Sequence, residues 1–207
     1  MKRLFDLVVS ALLLLFLSPL LLVLVVLIRL TMGSPVLFRQ VRPGYKARPF
    51  TVVKLRTMND ARDAKGELLP DSQRLTDLGH FMRRLSLDEL PQLWNVLRGH
   101  MSLVGPRPLL MEYLDAYTPE QARRHDVLPG ITGWAQVHGR QDIPFSRRLE
   151  LDIWYVDHGS FFLDLKILAL TVKHALRSSG VRSGQDVAEV DDLGLHPSVR
   201  KQRGDLE

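Results

Sequence analysis

The stretch LVVSALLLLFLSPLLLVLVVLI, residues 7–28, holds 22 residues without a charge. As a straight α-helix it is long enough to cross the roughly 30 Å hydrocarbon layer of a bilayer. Two features argue against a simple span. Ser18-Pro19 stands at its centre, and proline removes a backbone donor and crowds the preceding turn, which kinks or breaks a helix. Each half is then only ~15–18 Å long at 1.5 Å per residue, too short to span alone. The flanks are the second feature. Lys2 and Arg3 precede the apolar run, and seven Lys or Arg with no acid follow from Arg29 to Arg56. A spanning helix favours basic residues on one side. Basic flanks on both sides fit a re-entrant helix-break-helix whose two ends share the cytoplasmic face, with Ser18 offering a partner to carbonyls freed at the break. A kinked span is the alternative that these residues leave open. A cleaved signal peptide fits least, because the run continues past Pro19 and ends at Arg29 without a small-x-small site.

Outward from this stretch, 207 residues suit one compact domain and an anchor. We divide the chain into a membrane helix over 1–32, a compact water-facing domain over 33–182, and a polar, loosely ordered tail over 183–207. The net charge is +5, yet residues 1–60 hold nine basic and two acidic side chains, so the excess surrounds the apolar segment. Such a distribution suits an anionic lipid surface or a phosphorylated substrate rather than nucleic acid, and the ordinary positive-inside bias explains part of it. Cysteine is absent, which excludes disulfides, thiolate metal sites and thiol nucleophiles.

The fold expected is α+β and mostly α. Phe50–Met58 (FTVVKLRTM) reads as a strand, with Val52, Lys54 and Arg56 on one face and Val53 and Leu55 on the other. Residues 59–73 read as a loop or short helix. Asp77–Leu85 reads as a helix carrying Leu78, Phe81, Met82 and Leu85 on one side, with Arg83 and Arg84 close by. Ser86-Leu87-Asp88-Glu89 fits an S-x-x-E capping box and predicts a helix start near Asp88, with Pro91 in the first turn. Gly105-Pro106 and Pro108 place Arg107 in a punctuated loop, and a second Gly-rich loop runs from Pro129 to Arg140. Leu149–Val156 and Phe161–Leu176 read as amphipathic helices, the second fit either for the membrane interface or for the core.

Asp88 and Glu89 are adjacent acids on a chain rich in Arg. As caps they complement a helix dipole. As functional groups, an ionised Asp88 can attack phosphorus or bind Mg²⁺, while Lys54, Arg83, Arg107 and Arg140 meet phosphate oxygens. The seven histidines lack paired ligand spacing, and no GxGxxG, Walker A or G-x-S-x-G motif occurs. Zinc, dinucleotide, P-loop and hydrolase-triad chemistry therefore lack their signatures.

Taken in order, Ser18-Pro19, KLRTM (54–58), LSLDELPQLWNVLRG (85–99), MSLVGPRP (101–108), PGITGWAQVHGR (129–140) and LDLKI (163–167) closely resemble the monotopic phosphoglycosyl transferases of bacteria. These are the initiating sugar-phosphate transferases, and the match reaches to about residue 182, as in the small PglC-type members. Two departures occur: His100 stands where G-D-M-S is usual, and GRQDIPF (139–145) varies on G-R-N-x-x-x-W.

The resemblance implies a monotopic protein with interfacial amphipathic helices around a small cytoplasmic catalytic domain, at the cytoplasmic face of the bacterial inner membrane. It implies transfer of a sugar 1-phosphate from a UDP-sugar to polyprenol (undecaprenyl) phosphate, giving UMP and a polyprenol diphosphate sugar, with Mg²⁺ as cofactor. An N-acetylated amino sugar such as diacetylbacillosamine leads the donors. Carried over by position, Asp88 matches the nucleophile and Mg²⁺ ligand and Glu89 its dyad partner. Lys54, Arg83, Arg107 and Arg140 match phosphate-facing bases, and Ser18-Pro19 the membrane helix break. Two rivals use the same residues: a Mg²⁺-dependent membrane phosphatase or pyrophosphatase, and a non-enzymatic basic adaptor for anionic lipid. A homodimer is left open, since no heptad pattern demands one.

Overall fold

The computed structural model describes residues 1–139, 143–176, 190–197 and 199. Helix α1 (Lys2–Met32) holds the whole apolar stretch, and it is the one helix among the described residues long and apolar enough to cross a membrane. It ends at Gly33, whose φ of +75° suits a residue without Cβ. The break expected at Ser18-Pro19 does not interrupt it: helical residues run continuously through both positions. Proline leaves the carbonyl of Leu15 without its usual donor, and the Ser18 hydroxyl donates to that oxygen at 2.7 Å instead.

Both ends of α1 are seated on the same folded unit. At its start Lys2 Nζ meets Asp164 Oδ2 at 2.5 Å, Arg3 donates to the carbonyls of Val96 and Leu97 at 2.7 and 3.3 Å, and buried Asp6 accepts from the Ser102 hydroxyl at 2.8 Å. Near its end Leu24 and Ile28 pack with Leu55 and Met82. Between them Leu12, Leu15, Phe16 and Leu22 point outward with no protein covering them.

The strand expected over 50–58 is β2 (Pro49–Leu55), paired antiparallel with β1 (Leu37–Pro43) so that Arg39 faces Val53 and Gln40 faces Val52. The polar stretch after it folds into isolated bridges and a short helix α2 (Asp71–Arg74). Then comes α3 (Asp77–Arg84), capped by the Thr76 side chain. Helix α3 lies so close to the chain leaving β2 that a Cβ on Gly79 would stand 1.9 Å from the Thr57 carbonyl oxygen. A 3-10 turn, Leu87–Glu89, leads into α4 (Gln92–Leu97). Strand β3 (Ser102–Val104) pairs in parallel with β4 (Gly130–Thr132). Between them lie the 3-10 turn Met111–Ala116 and α5 (Pro119–Ala122), and after them α6 (Trp134–Val137), α7 (Phe145–His158) and α8 (Phe161–Leu176).

The mostly helical α+β expectation holds, and the sheets are small pairs. Leu93, Leu103, Val104, Tyr155 and Ile167 form a core cluster against which Phe5 and Val9 of α1 pack. Helix α8 packs into the core through Ile167, which is fully buried, while Phe162 and Val172 stand exposed. Of the stretch 183–207, read as a loosely ordered tail, residues 190–197 and 199 are described, and there Leu195 is buried against Leu109, Tyr113, Phe145 and Leu149. The Asp191 carboxylate accepts from the Leu195 and His196 amides at 2.8 and 2.7 Å and holds the turn that presents Leu195.

Candidate active site

The capping box expected at Ser86–Glu89 does not form. Ser86 sits at φ +56°, makes no side-chain cap, and the α-helix proper begins only at Gln92, after Pro91. Glu89 turns away from the backbone toward two cations. Lys54 Nζ lies 2.6 Å from Glu89 Oε1, and the Arg107 guanidinium forks onto the carboxylate at 2.5 and 3.3 Å. Charge-assisted contacts of this kind are roughly twice as strong as the neutral cap they displace.

The left-handed turn at Ser86 carries Asp88 inward, where it is 7% exposed. Among the described residues Asp88 has no hydrogen-bond or ion-pair partner. Burial and the neighbouring Glu89 charge push its carboxyl pKa above the ordinary value, against the pull of Lys54, Arg83 and Arg107. Glu89 is displaced the opposite way: burial disfavours its charge, but Arg107 and Lys54 together hold it ionised well below the usual carboxylate range. Burial lowers the Lys54 pKa despite Glu89, and Glu89 raises that of Arg107. Two adjacent acids are thus driven apart, Glu89 fixed as a structural anion and Asp88 left unengaged.

Three of the four expected bases gather here. Lys54 arrives from the inner face of β2, Arg107 from the loop after β3, and Arg83 from α3, where its Nε donates to Thr57 Oγ1 at 3.1 Å and its charge acts on Asp88. Arg140 lies outside the described residues.

Other side chains of the site escaped the sequence reading. Arg124 is 2% exposed and bonds twice to buried Asp152, at 2.6 and 3.1 Å, while donating to the Arg107 carbonyl at 2.7 Å. It therefore sets the backbone that aims Arg107. The available signal was Asp152 itself, an acid on the apolar stripe of α7 between Leu149 and Tyr155. Arg42 stands close enough to Arg107 that burial and this like charge lower its pKa to about 10, and burial together with Arg107 also lowers that of Arg148. The site is walled by cations on the Arg107 side.

Comparison with known proteins identifies the family. The family model described as bacterial sugar transferase matches residues 1–178. An uncharacterized sugar transferase of Bacillus subtilis, EpsL, is 58% identical over 187 residues, which cover 90% of this chain and 93% of that protein. The undecaprenyl-phosphate glucose phosphotransferase of Komagataeibacter xylinus is 45% identical over 86% of this chain, but only 36% of its own length is matched. The UDP-glucose:undecaprenyl-phosphate glucose-1-phosphate transferase of Caulobacter vibrioides is 43% identical over 84% of this chain and 69% of its own length. With the match running from α1 through the Asp88–Glu89 turn to the end of α8, the chain belongs to the bacterial sugar transferase family.

Proposed function

We propose that this chain transfers a sugar 1-phosphate from a UDP-sugar to undecaprenyl phosphate, releasing UMP and forming a polyprenol diphosphate sugar. The observation that carries the reading is the division of labour at Asp88 and Glu89. Lys54 and Arg107 engage Glu89, whereas Asp88 is buried and without a partner among the described residues.

In the first step an ionised Asp88 oxygen attacks the sugar-bearing phosphorus, and the bond to UMP breaks. In the second, a phosphate oxygen of the polyprenol attacks the same phosphorus and the Asp88 carboxylate is restored. One nucleophile thus serves a soluble donor and a lipid acceptor in turn. Arg107 and Lys54 carry positive charge beside the reacting phosphates, and Arg83 adds to it on the α3 side.

Mg²⁺ is the cofactor of this scheme. Glu89 is already occupied by two cations, so Asp88 and the substrate diphosphate are the oxygen donors available to it. Mg²⁺ binds through one or two carboxylates plus substrate phosphates and keeps several waters, a demand that Asp88 and the diphosphate would meet. When bound it offsets phosphate charge during the displacement.

The pose in the membrane is part of the same proposal. A spanning helix carries its water-soluble domain at one end, whereas α1 is tied to one domain at both ends, through Lys2, Arg3 and Asp6 and through Leu24 and Ile28. We place both ends on the cytoplasmic face, with α1 dipping into one leaflet around Pro19. Asp88 then sits at the interface, within reach of both substrates.

The test is UMP release from a panel of UDP-sugars in the presence of undecaprenyl phosphate, with UDP-glucose beside N-acetylated donors such as UDP-diacetylbacillosamine. UMP and a lipid diphosphate sugar from one donor support the proposal. Inorganic phosphate released from polyprenol diphosphate, with no UMP from any donor, would point to the phosphatase instead.

A further inference from the structure

On the side of β2 away from Asp88 lies a groove of about 530 Å³, lined by Leu37, Arg39, Val53, Trp94, Arg98 and His100 among others. Strand alternation separates it from the active site, since Lys54 points to Glu89 and the neighbouring Val53 to the groove. Asn95 seals the strand edge between them, accepting from the Val53 amide at 3.3 Å and donating to the Thr51 carbonyl at 2.7 Å.

The lining has a definite chemistry. No acid contributes to it, and among the described residues neither Arg39 nor Arg98 has a carboxylate within ion-pair distance. Trp94 is 51% exposed and carries the Arg98 guanidinium 5.4 Å above its ring. Leu37 and Val53 add an aliphatic wall. Two guanidiniums beside an aromatic and aliphatic surface match a phosphate with an acyl chain attached.

Residues at and beside the groove also touch both ends of α1. Arg98 and His100 flank Gly99, where an added Cβ would meet the Arg3 guanidinium at 3.5 Å. Leu37 follows α1 closely and packs in the cluster of Leu24 and Ile28. In the membrane pose proposed above, on which this inference rests, both ends lie at headgroup depth and so does the groove. Tryptophan and arginine are favoured at that depth.

We propose that this groove holds an anionic phospholipid of the surrounding bilayer, its phosphate between Arg39 and Arg98 and an acyl chain along Leu37, Val53 and Trp94. The bound lipid is separate from the polyprenol phosphate consumed in the reaction, because a phosphate held there has β2 between itself and Asp88.

The experiment takes the full chain in nanodiscs of phosphatidylcholine with and without phosphatidylglycerol, followed by native mass spectrometry of the released protein. The wild type is expected to retain one phosphatidylglycerol. Arg39→Gln/Arg98→Gln should weaken retention about thirtyfold, the equivalent of roughly 1 kcal/mol for each of two basic residues at an anionic surface, while keeping UMP release in detergent and its thermal midpoint. Lys54→Met should lose activity and keep the lipid. Equal retention by the double variant, or displacement of the phosphatidylglycerol by undecaprenyl phosphate added to the same nanodiscs, would overturn the proposal. If the double variant unfolds, Arg98→Gln alone is read in its place and must still reduce retention, since Arg98 is exposed. Cysteine accessibility at the two ends of α1 is measured on the same nanodiscs, so that failure of the membrane pose is seen independently of lipid retention.

Discussion

Arg107 and Glu89 meet fork to fork, with Arg107 Nη2 2.5 Å from Glu89 Oε1 and Nη1 3.3 Å from Oε2. This contact, with Lys54 on the same carboxylate, engages Glu89 and leaves the Asp88 carboxylate unengaged, the acid that the proposed scheme uses as nucleophile. Arg107→Lys keeps the charge but cannot reproduce the planar fork. Losing one charge-assisted contact of 1.5–3 kcal/mol predicts a fall of roughly 10- to 100-fold in kcat/KM for UMP release. Activity equal to wild type would remove the fork from the mechanism.

Asp88→Asn should abolish turnover, by about 10³-fold or more, because an amide is no nucleophile. Wild-type protein incubated with the correct UDP-sugar and no lipid acceptor should gain the mass of a sugar phosphate on Asp88 and release one equivalent of UMP. If UMP forms only when both substrates are present, the two-step scheme is wrong.

The acid limb of kcat/KM reports the free enzyme. Burial and Glu89 raise the Asp88 pKa from its ordinary 3.8, so activity should fail on acidification at a pH above that value. Removing the like charge in Glu89→Gln leaves Lys54, Arg83 and Arg107 acting on Asp88 and should move the limb to lower pH, whatever the loss in absolute rate. A limb that stays in place or moves up contradicts the assigned coupling.

Arg124 and Asp152 form a buried pair, each 2% exposed. Asp152→Asn strands a buried guanidinium and should cost about 3–5 kcal/mol, seen as a lower thermal midpoint. Arg124→Met/Asp152→Leu removes both charges and should recover most of that stability. Catalysis should stay impaired in the double variant, because Arg124 no longer holds the Arg107 carbonyl. Recovery of both quantities together would make the pair a purely structural one.

The chain lacks cysteine, so single cysteines report topology directly. Leu4→Cys and Leu30→Cys lie at exposed positions near the two ends of α1. Both should react with an impermeant thiol reagent from the cytoplasmic side of oriented vesicles. Reaction from opposite sides would restore a spanning helix.

Much of this protein was legible in its sequence. The uncharged run 7–28, the β-branched strand around Val52 and Val53, and the helical periodicity of Asp77–Leu85 and Phe161–Leu176 each reappear as elements, because local patterning and side-chain shape dominate at that scale. The ordered motifs by themselves point to its family. Tertiary structure decided what those residues do. Ser86–Glu89 satisfies a capping pattern, yet Lys54 from β2 and Arg107 from beyond β3 draw Glu89 away. No local reading weighs a neutral cap against two ion pairs that arrive from 35 and 18 residues away. Arg124 and Asp152 likewise gain meaning only when α7 closes over the Arg107 loop. The apolar stretch shows the same division: composition made it a membrane helix and foretold the Ser18 bond across Pro19. Only the packing of Lys2, Asp6 and Ile28 on one domain revealed that both of its ends are held together.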